Sequence, residues 1–285
     1  MSLAGAQEKT ALLLREGTWQ RPTGSTPTTH ILKPQLGHRA GQDLSNSVEN
    51  EFLCGRLLAV LGMPVARSEI IDFEDQRTLV VERFDRRWTV EGRLLRLPQE
   101  HLCHALGYPP AVRYQSDGGP GIEMAMGLLK GADDPLDDRR RFLKAQMIYW
   151  LLGATDGHAK NCSIFLGPRP GFRLAPLYDV MSTQPLVDAG TLRRRDMKMS
   201  VAIGTNRHYA VDEIQLCHFE QTAASAGFHA TVVAQLADEL ALELPRSLDL
   251  VANEQSDAVA VAVLESIASG AMRRLDRFTR RNEPE

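Results

Sequence analysis

A helical apolar run carrying Phe142, Met147, Ile148, Leu151 and Leu152 stops at Gly153, and the loop that follows holds Asp156 and Asn161 five positions apart. Two further apolar runs, Cys162 to Leu166 and Phe172 to Leu177, flank Gly167-Pro168-Arg169-Pro170-Gly171, and Tyr178-Asp179 comes next. No other stretch constrains the fold as strongly. A helix must end, a loop must present an acid and an amide, and a hairpin must return the chain with a second acid. Two carboxylates and an amide then stand at the mouth of one cleft. Hard oxygen donors suit Mg²⁺, and one more carboxylate can be aimed at a hydroxyl that attacks phosphorus. A helix cap at Asp156 and a turn acid at Asp179 are the plainer alternatives. An Asp and an Asn at this spacing are weak evidence alone; the hairpin and second acid give them weight.

Composition sets outer bounds. With 285 residues, of which 43% are hydrophobic and 24% charged, the chain has material for one large domain or two lobes and reads as an ordinary soluble globular protein. No apolar run approaches the roughly 18 residues that span a bilayer, and the start carries Glu8, Lys9 and Arg15 where a signal peptide needs an apolar segment. No membrane association is expected. Cys54, Cys103, Cys162 and Cys217 form no CxxC pair, which suits free thiols in a reducing cytoplasm better than disulfides or zinc. A net charge of −3 gives no global case for nucleic-acid binding. The basic run Arg193-Arg194-Arg195 and the basic tail Arg273, Arg274, Arg277, Arg280 and Arg281 read as solvated faces.

The order of local signals gives an α+β, two-lobed arrangement. Residues 1–84 read as a mixed α/β lobe and residues 85–285 as a mainly helical one. In the first, Thr10 to Leu14 and Thr29 to Leu32 are strand-like. Ser45-Asn46-Ser47 caps a helix from Val48 to Leu61, and Ser68 to Phe73 with Arg77 to Glu82 forms a hairpin. In the second, helices are expected over Gln99 to Leu106, Gly121 to Leu129 and Asp137 to Gly153. Long helical patterns cover 212–245 and 255–281, and Tyr114 to Gly121 is a loop.

Further candidates surround the central motif. His158 can orient Asp156, contact a phosphate, or make a structural hydrogen bond, and Lys160 can stabilise a transferring phosphate. Lys33 ends the strand-like run Thr29-His30-Ile31-Leu32-Lys33-Pro34. By itself it is a surface lysine. In this chain order it can bridge nucleotide phosphates and an acid on the next helix. That helix offers Glu49 and Glu51, and Glu51, beside the apolar Phe52, is preferred. The small-residue turn Gly5-Ala6-Gln7-Glu8-Lys9 is a plain hairpin turn or a cradle for phosphate oxygens. Glu82 to Phe84 joins the lobes, where backbone groups can meet an adenine.

In sum, these stretches resemble the HipA family of bacterial serine/threonine kinases, the toxin half of HipBA toxin–antitoxin pairs. The resemblance runs in order through Ser2 to Thr10, Thr29 to Lys33, Glu49-Asn50-Glu51 and Val81 to Trp88. It continues with Arg96 to Glu100, Ser116-Asp117-Gly118-Gly119-Pro120-Gly121, Gly153 to Asn161 and Tyr178-Asp179. It implies a protein-kinase-like fold and dependence on ATP and Mg²⁺. Asp156 would be the catalytic carboxylate, with His158 and Lys160 beside it. Asn161 and Asp179 would hold Mg²⁺. Lys33, paired with Glu51, would contact ATP phosphates, with Ala4, Gly5, Ala6 and Gln7 in the phosphate loop. Val81, Glu82 and Phe84 would line the adenine site. The resemblance further implies autophosphorylation at Ser2 and a glutamyl-tRNA synthetase substrate. It also implies a HipB-like helix-turn-helix antitoxin as partner, and contact with DNA through that antitoxin. Relative to that family, the chain is expected to lack a lobe-sized N-terminal segment, which would loosen the phosphate loop. The rival expectations are an inactive kinase-like remnant that binds only an antitoxin, and a small-molecule kinase on the same scaffold.

Overall fold

A computed structural model describes residues 8–39, 41–167 and 170–279. Ser2, Ala4, Gly5, Ala6, Gln7, Pro168, Arg169, Arg280 and Arg281 lie outside the described residues.

The first part of the chain builds an antiparallel sheet. Its strands are β1 (Thr10–Arg15), β2 (Thr18–Gln20) and β3 (His30–Pro34), then, after the small ribbon β4 (Gly37–Arg39) and β5 (Gln42–Leu44) and the helix α1 (Ser47–Val60), β6 (Ser68–Phe73) and β7 (Gln76–Glu82). The order across the sheet is β2-β1-β3-β7-β6. Lys33 stands opposite Leu79 in the central β3–β7 pair, so its side chain is placed by ladder hydrogen bonds on both edges of β3. The start of α1 is satisfied from outside the helix. The backbone N–H of Val48 donates to Gln35 Oε1 (2.9 Å) and Ser47 Oγ donates to the same oxygen (3.0 Å). Asn46 occupies the cap position without a side-chain bond, so the expected Ser-Asn-Ser cap is replaced by a glutamine that arrives from the end of β3.

Two short hairpin-like pieces follow, β8 (Arg86–Trp88) with β9 (Leu94–Arg96), and β10 (Gln99–His101) leading into the single turn α2 (Leu102–Ala105). The helix expected over Gln99 to Leu106 is therefore half strand. Gln99, Glu100 and His101 pair with Phe165, Ile164 and Ser163 of β11 (Ser163–Leu166), and this non-local ladder overrides the local helical spacing. Helices α3 (Ile122–Leu129) and α4 (Pro135–Leu152) come next. The α4 helix begins with Asp134 accepting from the Asp137 N–H and Pro135 in its first turn, and ends on Gly153 at φ +66°. From Phe142 to Leu152 it is buried on every face, which marks it as the central rod of the helical lobe. Its one fully buried acid, Asp138, is matched by Arg141, by Arg173 Nε (2.9 Å) and by the Leu174 N–H (3.0 Å).

After β11 come β12 (Phe172–Leu174), α5 (Gln184–Asp188), β13 (Lys198–Ile203), β14 (His208–Ala210), α6 (Leu216–Ser225), α7 (Ala230–Asn253) and α8 (Ala258–Thr279). The helical pattern expected over 212–245 divides at Gly227, whose φ of +78° ends α6. The second piece runs on through Pro245 to Asn253. The basic tail is not wholly solvated. Arg274 is buried, with Nε donating to Leu151 O at the end of α4 (2.7 Å) and Nη1 to Gln184 Oε1 (2.9 Å). One apolar core spans both parts, from Leu53, Leu57 and Leu58 of α1 to Trp150, which stacks on Phe278 of α8 (centroids 4.6 Å apart). All four cysteines are free thiols, as expected, and Cys217 is the exposed one. No helix among the described residues is long and apolar enough to cross a membrane.

Candidate active site

The sheet and the α4 lobe meet over a cleft of about 620 Å³. Hydrogen bonds between distant parts of the chain set its geometry. Val65, between α1 and β6, forms a parallel bridge with Leu177, two residues before Asp179. The Ala66 N–H donates to Leu177 O (2.9 Å), and the Leu177 N–H donates to Pro64 O (2.8 Å). On the other side of Asp179, Asn50 of α1 grips Ser182 twice. Its Nδ2 donates to Ser182 O and its Oδ1 accepts from the Ser182 N–H, both at 2.8 Å. Ser182 Oγ in turn donates to Leu152 O at the end of α4 (2.6 Å). The segment carrying Asp179 is thus tied to α1 before and after the acid.

Across that junction lies a three-member ion cluster. Lys33 Nζ donates to Glu51 Oε1 at 2.6 Å and to Asp179 Oδ1 at 2.8 Å. Burial alone would lower the pKa of the Lys33 amine, but the two carboxylates reverse the effect and raise it above the ordinary lysine value. Asp179 is likewise opposed by burial, yet Lys33, with smaller help from Lys9 and His158, pulls it below the usual carboxylate range. Fully buried Glu51 is pushed upward, by desolvation first and by the like charge of Asp179, with Lys33 opposing. Asp179 has a φ of +61°, a left-handed conformation that costs a non-glycine residue of order 1 kcal/mol or more and persists only where its surroundings impose it. Of the two acids on α1, Glu51 meets Lys33, whereas Glu49 pairs with Arg77 and with Gln35 Nε2 (2.8 Å).

Gly153, the short turn at Thr155 and the 3₁₀-like bond from the Asn161 N–H to His158 O (2.8 Å) shape the facing loop. Asp156, His158, Lys160 and Asn161 all line the same cleft as Lys33, Glu51 and Asp179. The Asp156 side chain is 61% exposed. Asn161 Nδ2 donates to Asp156 O (3.0 Å), which leaves its amide oxygen without a partner among the described residues. His158 is buried. Among the described residues its Nδ1 has no hydrogen-bond partner, and its Nε2 stands 3.8 Å from Asp156 Oδ1. Desolvation, only partly offset by Asp156, lowers its pKa, which favours the neutral ring. Val81, Glu82 and Phe84 line the opposite wall, with Ile31, Val65 and Ala66 adding apolar surface. The N–H groups of Glu82 and Arg83 are spent on Arg67 O (2.8 Å) and Thr29 O (2.8 Å). The lobe connection is held by buried Asp85, which accepts from Arg83 (3.0 and 2.9 Å) and Arg86 (2.6 Å).

Three cleft-shaping residues escaped the sequence reading. Asn50 sat unremarked beside Glu51. Lys9, read only as the end of a small-residue turn, lines the cleft close to the ion cluster, and burial lowers its amine pKa. Tyr114, 42 residues from Asp156, donates its hydroxyl to Asp156 Oδ1 at 2.6 Å. Only the third dimension brings Tyr114 and Asp156 together.

The donor set fits a magnesium–nucleotide complex. Among the described residues the oxygens of the Asp156, Asn161 and Asp179 side chains left without a partner are the Asn161 amide oxygen, the second Asp179 oxygen and Asp156 Oδ2. Among the described residues no three His, Cys, Asp or Glu side chains gather into a closed cage. Mg²⁺ in phosphoryl-transfer sites is held in this open manner, by one or two protein oxygens with phosphates and water completing the shell. Asp179 and Asn161 are the residues that would hold the ion, which would neutralise charge on the phosphates.

A family model described as a HipA-like C-terminal domain matches residues 1–248. A Sinorhizobium fredii protein named only provisionally as a kinase, Y4mE, is 33% identical over 258 residues, covering 90% of this chain and 58% of its own. The serine/threonine-protein kinase toxin HipA of Shewanella oneidensis is 32% identical over 200 residues, covering 66% of this chain and 44% of its own. The chain therefore spans about half the length of these curated relatives. Among solved structures, Shewanella oneidensis HipA, in a complex with HipB and operator DNA, superposes over 98% of this chain and 65% of its own with a TM-score of 0.83 at 24% identity. The Helicobacter pylori proinflammatory kinase CtkA superposes over 98% and 90% with a TM-score of 0.62 at 12% identity. The two-lobed α+β expectation holds in these superpositions.

Proposed function

The chain belongs to the HipA-like C-terminal domain family, and from that premise we propose that it carries the catalytic centre of a serine/threonine protein kinase. The observation that supports this reading best is the convergence of Lys33, Glu51 and Asp179 from two lobes on a cleft that Asp156 and Asn161 share. The sheet lobe reaches to about residue 84, and the connection after β7 lies along the nucleotide.

In this reading the residues divide the work. An ammonium has three donors. Lys33 spends two on Glu51 and Asp179 and aims the third at nucleotide phosphates. Glu51 keeps the amine in register, and Asn50 keeps α1 against the Asp179 segment. Asp179 and Asn161 hold Mg²⁺. Val81, Glu82 and Phe84 enclose the adenine, chiefly by apolar contact. Asp156 accepts the hydrogen bond of the acceptor hydroxyl and orients it for in-line attack. Lys160 and Lys9 add positive charge where the transferring phosphoryl group becomes more anionic. Neutral His158 packs beneath Asp156 and limits its movement. The acceptor is a protein serine. Glutamyl-tRNA synthetase as that acceptor, and autophosphorylation at Ser2, rest on the family resemblance. A HipB-like antitoxin as partner, with DNA reached through it, has the further support of the HipB-bound Shewanella relative.

The test is transfer of labelled γ-phosphate from Mg²⁺–ATP to protein acceptors, with Asp156→Gln beside the unaltered chain. Loss of the positioned carboxylate is expected to cost several powers of ten in rate. Equal incorporation by the two proteins would refute the role of Asp156.

A further inference from the structure

Between α2 and α3, the turn Ser116-Asp117-Gly118-Gly119-Pro120-Gly121 is built too closely for an ordinary surface loop. A Cβ on Gly119 would stand 2.6 Å from Val112 O and 2.8 Å from Tyr114 O, and one on Gly121 would meet the Gln115 amide at 2.4 Å. Gly118 takes a φ of +90°. These glycines let the chain fold back on Tyr114, whose carbonyl accepts from the N–H groups of Asp117 (3.1 Å) and Gly119 (2.9 Å). The next residue is fixed as well, since Gln115 Oε1 accepts from the Ala202 N–H on β13 (2.7 Å). The Tyr114 ring is held edge-on against His158 (centroids 5.0 Å apart), with the Arg113 guanidinium over its face at 4.9 Å. Everything in this arrangement fixes one hydroxyl, and that hydroxyl donates to Asp156 Oδ1 at 2.6 Å.

We propose that Tyr114 is a positioning residue for the phosphoryl transfer, and that the Gly-rich turn serves to present it. The inference rests on the kinase reading above. A carboxylate that is 61% exposed can rotate freely unless something holds it. The phenol restrains one oxygen and leaves Oδ2, which has no partner among the described residues, turned toward the acceptor hydroxyl. The competing reading, a plug that occupies the acceptor's place, requires Tyr114 to swing out at each turnover. Its carbonyl is held by two hydrogen bonds from the turn, its neighbour Gln115 is tied to β13, its ring packs on His158, and only one of the two carboxylate oxygens is taken.

The experiment is a double-mutant cycle of Tyr114→Phe and Asp156→Asn, read by single-turnover phosphate incorporation and by calorimetric binding of a non-hydrolysable Mg²⁺–ATP analogue. Tyr114→Phe keeps the ring and its packing. It is expected to lower kcat by about 10- to 100-fold, the factor carried by one hydrogen bond to a charged group. Nucleotide affinity and the KM for ATP are expected to stay within about twofold. In the Asp156→Asn background the same substitution is expected to change the residual rate by less than about twofold, because the group that Tyr114 positions is gone. An unchanged or faster Tyr114→Phe enzyme overturns the proposal, the faster one in favour of the plug. So does a full loss repeated in the Asp156→Asn background, or a parallel fall in nucleotide affinity. Failure of the underlying reading looks different: no incorporation by the unaltered chain, or equal incorporation by Asp156→Asn. Either result ends both claims.

Discussion

Replacing Lys33 with methionine removes the one cation between two carboxylates and keeps the aliphatic stem. At the observed 2.6 and 2.8 Å, each attraction is worth roughly 6 kcal/mol at an effective dielectric constant of about 20, before desolvation. Desolvation of buried Lys33 and Glu51 and of half-buried Asp179 cancels most of that, and breaking such a cluster from one side costs about 3–5 kcal/mol. The pH dependence distinguishes this account from simple loss of packing. In the unaltered chain Asp179 is held below its ordinary value, so its contribution is present above about pH 4 and is lost as pH falls through the depressed pKa. In the variant, Glu51 loses the cation that opposes its upward shift and rises further. A buried acid with a raised pKa destabilises the fold above its unfolded pKa, and that penalty is relieved on acidification. The gap between the two proteins should therefore be widest near pH 7 and close steadily toward pH 4. Urea denaturation at pH 7, 6, 5 and 4 measures it. A gap under about 1 kcal/mol at pH 7, or one that stays constant down to pH 4, would refute the reasoning. Lys33→Met combined with Glu51→Gln should recover part of the loss, since the pair is then neutral at every pH.

Asn50→Ala, read by urea denaturation, should cost about 1–3 kcal/mol by leaving both Ser182 backbone groups buried without their partner; an unaffected midpoint would show that the α1–Ser182 tie is dispensable. Gly153→Ala should destabilise by about 1–2 kcal/mol, mainly through the φ of +66°, because the nearest atom to the new Cβ, Met197 Cε at 2.9 Å, belongs to a flexible side chain that can yield. In thiol labelling of the folded chain only Cys217 should react fast. Cys54 and Cys162 have their thiols pushed up to about 12 by burial, and buried Cys103 is also raised, so two or more fast equivalents would contradict the packing.

Much of this fold was legible because its strongest signals are local. Gly153 ends α4 where the apolar run stops, the apolar stripe of α1 carries Glu51 with it, and the β6–β7 hairpin lies in two short strand-like runs next to each other in sequence. The loop with Asp156 and Asn161 and the return to Asp179 are close in sequence, so the spacing taken together with the hairpin pointed to a shared cleft. What stayed hidden depends on distant pairing. Gln99 to His101 have helical spacing but are strand because β11 lies beside them. Gln35 caps α1 from just past the end of β3, where no local capping rule looks. Arg274 sits in a basic tail that reads as solvated, yet its charge is buried against the end of α4, 123 residues earlier. Tyr114 carries no motif of its own. Its glycine-rich neighbours were visible, but what they present was not, because Asp156 lies on another element.

The most direct test of the central claim, that Lys33, Asp156, Asn161 and Asp179 form one magnesium–nucleotide site, is calorimetric titration of the chain with a non-hydrolysable ATP analogue. It is run with and without Mg²⁺ and repeated with Asp179→Asn. The account predicts metal-dependent binding at one site, weakened at least about tenfold in the variant by loss of a charged ligand. Equal binding by the two proteins, or binding indifferent to Mg²⁺, would contradict it.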